Sequence, residues 1–193
     1  MRTNILLIIG LIALLPLSAQ TPRKVLDRTA ETLRREAPLA VEMNVGSFLL
    51  KGDKFVLDMG DTQTWFDGRT QWTYVAANNE VTVITPTPQE LQGINPYSWL
   101  SLYKQGYKLT LTTLPRSYEV LMQSTDPRND LKQIRLSIDR GSYLPQSIHT
   151  TLGSGETFLI TVKKCRTRQS LPDTRFVFDK KAYPDVEVID LRE

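Results

Sequence analysis

The stretch between Thr64 and Tyr103 constrains the fold more than any other part of the chain. It begins with two runs of alternating apolar and polar residues on either side of Asp67-Gly68. Aspartate and glycine tolerate the positive φ angles of a two-residue type I′ turn, and alternation with period two is typical of half-buried antiparallel strands. Proline-marked aromatic sequence then replaces the alternation. The stretch therefore predicts a β-hairpin followed by an apolar, helical insertion between strands.

Two helix starts are predicted within the insertion. Thr87-Pro88-Gln89-Glu90 has the form of a capping box, in which Thr87 and Glu90 satisfy each other's backbone donors. Asn95-Pro96 offers a second start, and apolar residues cover more than one face of the helix behind it: Tyr97, Trp99, Leu100, Leu102 and Tyr103. A helix that is apolar on several faces has to be buried on several sides. We expect this insertion to form a helical lid.

The rest of the chain reads as one helix followed by many short strands. Thr21-Pro22 predicts the start of an amphipathic helix that ends at Pro38. Alternating runs from Leu39 onwards, separated by tight turns such as Gly52-Asp53, predict strands. Later strands are expected at Lys108–Thr113, Ser117–Gln123, Leu131–Asp139, Gln146–Leu152, Glu156–Lys163 and Arg175–Phe178. Short turns join antiparallel neighbours. The expected fold is mainly β (α+β): a single curved antiparallel sheet that forms an incomplete β-barrel, with an N-terminal helix and a helical lid.

The first residues have the features of an export signal. Arg2 precedes an apolar run from Ile5 to Leu17, and Leu17-Ser18-Ala19 ends it with small residues. This order predicts a signal peptide over residues 1–19 that is cleaved after Ala19. Residues 20–193 are then expected to form a single exported domain.

Charge and residue counts argue against several classes of function. The formal net charge of +3 is too small and too dispersed to predict a nucleic-acid partner. His149 is the single histidine and Cys165 the single cysteine. A multi-histidine metal site and an internal disulfide are therefore excluded. Ser147 and His149 lack a nucleophile-elbow motif, and neither a phosphate loop nor a dinucleotide fingerprint is present. We expect no enzyme activity and no cofactor.

The hairpin resembles a motif of the LolA family of periplasmic lipoprotein carriers, in the variant found in LolA-like outer-membrane lipoprotein chaperones. The family motif D-G-K-T-x-W-x-Y corresponds to Asp67, Gly68, Arg69, Thr70, Trp72 and Tyr74. Similarity extends from about Thr21 to Leu191 and includes Leu131–Ile134 and the ending around Phe176–Phe178 and Val186–Val188.

The resemblance implies a function as well as a fold. It implies an incomplete β-barrel, closed by a helical lid, that holds the acyl chains of lipoproteins as they cross the periplasm from the inner to the outer membrane. The implied partners are acylated lipoproteins, an inner-membrane ABC-type lipoprotein release complex and an outer-membrane acceptor. We expect a monomer.

Bulky apolar residues at alternate positions on adjacent strands predict the ligand-binding groove and lid. The set consists of Phe48, Leu50, Phe55, Leu57, Trp72, Tyr74, Tyr97, Trp99, Leu100 and Tyr103. Family members carry a lid-latching arginine where this chain has Gly52-Asp53. Either another residue latches the lid, or Trp99 and Leu100 close it by apolar packing.

Two alternatives remain at the level of sequence. One is an envelope domain of the same sheet architecture that senses lipid or unfolded protein; such sensors usually carry a second domain, which favours the carrier here. The other is an envelope hydrolase, which the missing catalytic constellation disfavours.

Overall fold

The computed structural model describes residues 20–87, 90–91 and 102–192. The predicted signal peptide, residues 1–19, lies outside these residues, and so do the predicted lid residues Tyr97, Trp99 and Leu100. Across the described part of the chain, one α-helix and twelve strands form the fold.

The helix α1 spans Pro22–Glu36 and begins as the sequence predicts. Thr21 is its N-cap: the Thr21 hydroxyl oxygen accepts a hydrogen bond of 3.2 Å from the backbone N–H of Lys24. Proline suits the first helical position because an N–H at that position has no hydrogen-bond acceptor within the helix. The backbone becomes extended at Ala37, and Pro38 follows. This predicted helix is confirmed.

The described strands form one sheet. Their bounds are β1 (Leu39–Met43), β2 (Ser47–Lys51), β3 (Lys54–Asp58), β4 (Thr62–Phe66), β5 (Gln71–Val75), β6 (Glu80–Ile84), β7 (Tyr107–Thr113), β8 (Ser117–Ser124), β9 (Leu131–Asp139), β10 (Pro145–Leu152), β11 (Thr157–Arg166) and β12 (Glu187–Asp190). The spatial order is β12-β6-β5-β4-β3-β2-β1-β11-β10-β9-β8-β7. The sheet is therefore open, with β12 and β7 as its edges.

One strand pair departs from the antiparallel prediction. β12 pairs with β6 in parallel, with Val188 opposite Val81, whereas the other neighbouring pairs are antiparallel. Short turns dictate antiparallel pairing only between consecutive strands. β12 reaches β6 through the long C-terminal segment, so no turn fixes its direction.

The Asp67-Gly68 hairpin is present, but its turn differs from the prediction. Gly68 has a positive φ of 100°, whereas Asp67 does not. The Asp67 carboxylate instead accepts hydrogen bonds from the backbone N–H groups of Arg69 (2.8 Å) and Thr70 (2.7 Å). Asp67 therefore precedes the tight turn and stabilises it through its side chain.

The C-terminal segment, residues 167–192, crosses the sheet instead of adding the predicted strand at Arg175–Phe178. Asp173–Phe176 forms a 3₁₀-helix, and Phe176 is fully buried beside Val56 and Trp65. Burial of this ring sets the local backbone, which a strand-like sequence pattern does not predict.

An ion-pair cluster holds the start of this segment. The Asp173 carboxylate lies 2.8 Å from the Lys51 ammonium and 2.7 Å from that of Lys54, at the β2–β3 hairpin. These hydrogen-bonded ammonium groups lower the pKa of Asp173 to about 2. The Lys51 ammonium also donates to the Leu171 carbonyl oxygen (2.8 Å).

The sheet has two differently covered faces. We call the face against which α1 packs the inner face, and the opposite one the outer face. Val25 and Leu26 of α1 pack with buried side chains of β8 and β9, while Leu33 and Ala37 pack with side chains of β1 to β4. The C-terminal segment covers the outer face of β2 to β5. Each face is thus covered by one segment that crosses the strands: α1 on the inner face and the C-terminal segment on the outer face.

Candidate ligand-binding site

The inner face carries two buried apolar clusters. The first, which we call the far cluster, contains side chains of β8 and β9 beneath the first turns of α1, including Val120, Met122, Ile134 and Leu136. The second, the near cluster, contains Leu39, Phe48, Leu50, Phe55 and Phe66 from β1 to β4. α1 packs on both. The inner face is therefore apolar on both sides of its centre.

A stripe of apolar side chains on β11 lies between these clusters. Phe158 is opposite Thr150, Ile160 is opposite Ile148, and Val162 is opposite Met43, so all three face inwards. Among the described residues, neither cluster includes these three. Phe158 is 53% exposed, and Ile160 and Val162 are half-buried. We call these three residues the β11 stripe; it is an accessible apolar surface continuous with the core.

Asn44 holds β11 in place where β1 ends. Its side-chain nitrogen donates to the Leu159 carbonyl oxygen (2.9 Å), and its side-chain oxygen accepts from the Thr161 N–H (2.8 Å). The register between β1 and β11 also shifts at this place, between Glu42 and Met43. The Asn44 amide thus replaces the strand partner that β11 would otherwise lack. The stripe is consequently fixed in a regular strand.

Four predicted groove residues lie together on the inner face. Phe48 is opposite Leu57, and Leu50 is opposite Phe55. Phe48, Leu50 and Phe55 are buried in the near cluster, while Leu57 is half-buried beside it. The alternation of apolar residues on two adjacent strands placed these side chains correctly. Whether they contact a ligand stays a prediction.

Trp72 and Tyr74, in contrast, face the other side of the sheet. Trp72 is opposite Trp65, and both belong to the outer-face cluster with Phe176. Tyr74 stacks against Tyr183 of the C-terminal segment, with ring centroids 4.8 Å apart. The expectation that they share a groove with Phe55 and Leu57 is corrected: the register pairs Leu57 with Thr64 and then Thr73, which leaves Trp72 and Tyr74 on the outer face.

Tyr103 joins the far cluster instead of lining a free surface. It is 2% exposed and packs with Val25 and Leu26 of α1. Its hydroxyl donates a short hydrogen bond to the Asp27 carboxylate. Burial, followed by the hydrogen bond to Asp27 and then the Asp27 charge, raises the pKa of Tyr103 to about 12. Tyr103 thus attaches the chain after the predicted lid to α1.

The capping box at the other end of the predicted lid is formed. The Glu90 carboxylate accepts from the Thr87 N–H (2.8 Å), and the Thr87 hydroxyl accepts from the Glu90 N–H (3.3 Å). Leu91 packs against the near cluster. The described residues on either side of the predicted lid therefore lie on different clusters of the inner face. The remaining lid residues of the prediction, Tyr97, Trp99 and Leu100, lie outside the described residues.

A polar sector adjoins the near cluster on the same face, and it was not predicted from the sequence. Gln71 lies opposite Phe66, and the threonines Thr64, Thr73 and Thr82 stand in register on β4, β5 and β6. Gln71 and Thr64 are buried. Alternation alone could have placed these residues inside, but polar residues in a strand are ordinarily assigned to the solvent side.

The described residues include the single histidine and the single cysteine of the sequence. No group of three or more potential metal ligands occurs among the described residues. His149 is exposed on β10, opposite Leu159 and Arg135. Cys165 is half-buried against the near cluster, and burial raises the pKa of its thiol, so the thiolate is disfavoured. Within the described part of the chain, no helix has the length and hydropathy that membrane crossing requires.

Solved structures of other proteins resemble this chain at low sequence identity. An uncharacterized conserved protein from Thermus thermophilus matches with a TM-score of 0.60 and 13% identity, over 89% of this chain and 99% of that one. A LolA superfamily protein from Nitrosomonas europaea matches with a TM-score of 0.42 and 11% identity, over 83% and 99% of the two chains. The MucA/MucB complex of Pseudomonas aeruginosa matches with a TM-score of 0.43 and 14% identity, over 83% and 62%. The Thermus protein shares the fold of this chain.

Sequence comparison supplies the family. No curated protein matches the chain. A family model described as outer membrane lipoprotein carrier protein LolA matches residues 14–154 of the 193. The matched range contains α1, the strands of the near cluster and the strands of the far cluster. The chain belongs to the LolA family of outer membrane lipoprotein carrier proteins.

Proposed function

We propose that this protein is a periplasmic carrier that binds the acyl chains of lipoproteins on the inner face of its sheet and moves them from the inner to the outer membrane. The observation that carries the proposal is the β11 stripe, Phe158, Ile160 and Val162, which is accessible to solvent between two apolar clusters. The carrier acts by binding, without a chemical step. Family membership supports the same class of ligand.

The energetics favour an acyl chain as the occupant of this stripe. Each methylene that is removed from water contributes about 0.8 kcal/mol. A linear chain lying along the stripe contacts Phe158, Ile160 and Val162 at every second residue of one strand. Accessible apolar surface of this kind is typical of ligand or partner sites. An acyl chain that moves from water onto the inner face therefore gains apolar contacts.

We propose that Phe48, Leu50, Phe55 and Leu57 extend the binding surface from the stripe towards β3. Val41 and Met43 lie between them and β11, since Val41 is opposite Phe48 and Met43 is opposite Val162. Trp72 and Tyr74 support the sheet from the outer face and do not contact the ligand. The proposed lid includes Tyr97, Trp99 and Leu100, with Tyr103 as its attachment to α1.

The proposed route involves export and two membrane partners. The chain is exported, cleaved after Ala19 and works as a monomer. It receives its lipoprotein from an inner-membrane ABC-type release complex and delivers it to an outer-membrane acceptor. N-terminal sequencing of the exported protein tests the cleavage site, which predicts Gln20 as the first residue.

Native mass spectrometry tests the ligand class. The mature chain is mixed with a synthetic triacylated lipopeptide, and in parallel with the same peptide lacking acyl chains. We expect a complex with the acylated peptide alone. Binding to neither peptide would contradict the carrier proposal. Equal binding to both would indicate a peptide-sensing domain instead.

A further inference from the structure

Gln71 has a buried polar atom without a hydrogen-bond partner. The side chain is 9% exposed, and its carbonyl oxygen Oε1 is the buried side-chain atom without a partner among those described. The amide nitrogen donates to the Thr73 hydroxyl at 3.1 Å. Rotating the amide by 180° would leave the Nε2 donor unpaired instead, so a free acceptor exists in the orientation in which Nε2 donates to Thr73. A buried acceptor without a donor destabilises the fold, so its presence needs a reason.

The surroundings of Gln71 divide the inner face into an apolar and a polar part. One row of cross-strand neighbours passes from Val41 and Phe48 to Leu57, and then continues as Thr64, Thr73 and Thr82. The next row passes from Leu50 through Phe55 and Phe66 to Gln71. The first row therefore becomes polar at β4, whereas in the second row Gln71 is a polar residue between Phe66 and Ile84 of β6.

The dimensions of this row fit an amphiphile. Neighbouring strands lie about 4.8 Å apart, so Phe48 on β2 and Thr82 on β6 are separated by roughly 19 Å along the row. A ligand lying across the strands would place hydrocarbon over Phe48 and Leu57 and a polar group over the threonines. The unpaired Gln71 oxygen would then meet that polar group.

We propose that Gln71 and the threonines Thr64, Thr73 and Thr82 form a polar subsite for the group that joins the acyl chain to the rest of the ligand, and that Gln71 Oε1 accepts a hydrogen bond from an amide N–H of that group. This inference rests on the proposed function. It adds a specificity: among ligands of equal chain length, those with an N-acyl linkage bind more tightly than those with an ester linkage. An ester has no donor for Gln71.

Access to the enclosed oxygen requires neighbouring side chains to move. Gln71 lies beside Phe66 of the near cluster and Ile84 of β6. An acyl chain that binds there replaces the apolar contacts of the displaced side chains. The hydrogen bond to the linkage is then formed in a site from which water is excluded, where it is strongest.

A matched pair of ligands tests the subsite. N-palmitoylglycine and O-palmitoyl glycolate differ in a single N–H that is replaced by oxygen. Their dissociation constants are measured for the wild-type mature chain, for Gln71→Met and for Gln123→Met. Methionine keeps the shape of glutamine without its polar atoms, and Gln123 is an exposed residue of β8 whose side chain faces outwards.

We expect Gln71→Met to reduce the preference for the amide over the ester by about 3- to 10-fold, as the loss of one hydrogen bond predicts. Gln123→Met is expected to keep the wild-type preference. The amide-to-ester affinity ratio of each variant is divided by that of the wild type. The difference in hydration between the two ligands is the same in both ratios and therefore cancels. The thermal midpoint of Gln71→Met is expected to stay close to that of the wild type, since the substitution removes the unpaired oxygen together with the hydrogen bond to Thr73.

Each contrary outcome has a distinct meaning. If the wild type binds both ligands and Gln71→Met leaves the preference unchanged, the subsite is refuted and the carrier proposal stands. A uniform weakening of both ligands would indicate that Gln71 contributes packing alone, which also refutes the subsite. If the wild type binds neither ligand, the proposed function fails and the subsite fails with it.

Discussion

Phe158 and Leu159 are adjacent in the chain and equally exposed, at 53% each, but they lie on opposite faces of the sheet. Phe158 pairs with Thr150 on the inner face, whereas Leu159 pairs with His149 on the outer face. The two residues therefore form a matched pair for testing which face binds the ligand. Both can be changed at little cost in stability because neither is buried.

Phe158→Asp is expected to weaken binding of a fluorescent fatty acid by at least about 10-fold, because a carboxylate in an apolar site is desolvated without a partner. Leu159→Asp introduces the same charge one residue away and is expected to leave the affinity unchanged. Fluorescence titration of both variants measures the difference. Equal losses in the two variants would contradict an inner-face site.

Tyr103 makes the stability of the fold decrease at alkaline pH. Its pKa of about 12 lies above the usual value of 10.0, so the folded state favours the protonated phenol. The stabilising contribution is complete below pH 10 and is lost as the pH rises towards 12. Tyr103→Phe removes the hydrogen bond to the Asp27 carboxylate and is expected to lower the free energy of unfolding by about 1.5–3 kcal/mol at neutral pH.

Urea unfolding at pH 8 to 12 measures this effect. Other tyrosines also ionise in this range, so the informative quantity is the difference between wild type and Tyr103→Phe. We expect that difference to shrink between pH 10 and 12. A difference that is constant over this range would show that Tyr103 is not coupled to Asp27 as described.

Asp173 makes the C-terminal segment sensitive to acid. The Lys51 and Lys54 ammonium groups lower its pKa to about 2, so its contribution is complete above pH 4 and disappears as the pH falls towards 2. Asp173→Asn is expected to increase amide hydrogen exchange in the C-terminal segment at neutral pH. Asp185→Asn, in the same segment, is the control because Asp185 contacts the Asn79 side chain through its backbone carbonyl oxygen (2.9 Å), which the substitution keeps. Equal exchange in both variants would contradict the role of the ion-pair cluster.

Phe176 separates stability from binding. It is fully buried between the C-terminal segment and the outer face, in contact with the cluster of Val56 and Trp65. Phe176→Ala is expected to lower the free energy of unfolding by about 3–5 kcal/mol. The affinity of the folded variant for an acyl ligand should stay at the wild-type value, since the ligand is proposed to bind on the other face. Denaturant unfolding and ligand titration below the unfolding transition test the two parts separately.

The local elements of this fold follow directly from the amino-acid pattern. Thr21-Pro22 specified the start of α1 through a side-chain cap, and Thr87 with Glu90 formed the predicted capping box. Alternating residues and short turns specified the consecutive strands, including β9 with its exact bounds. These features depend on interactions between residues close in the chain, which are present in the sequence pattern itself.

The segments that cover each face of the sheet depend instead on pairing between strands that are distant in the chain. Alternation identifies the residues that share a face within one strand. Whether Trp72 on β5 lies on the same face as Phe55 on β3 depends on the register across β3, β4 and β5. The same long-range pairing brought the C-terminal segment onto Trp65, directed β12 parallel to β6, and left Gln71 enclosed. These contacts join residues that are far apart in the chain, and their free energy comes from burial against the assembled sheet. No local pattern contains that information, because the surface that is buried exists only once the strands have paired.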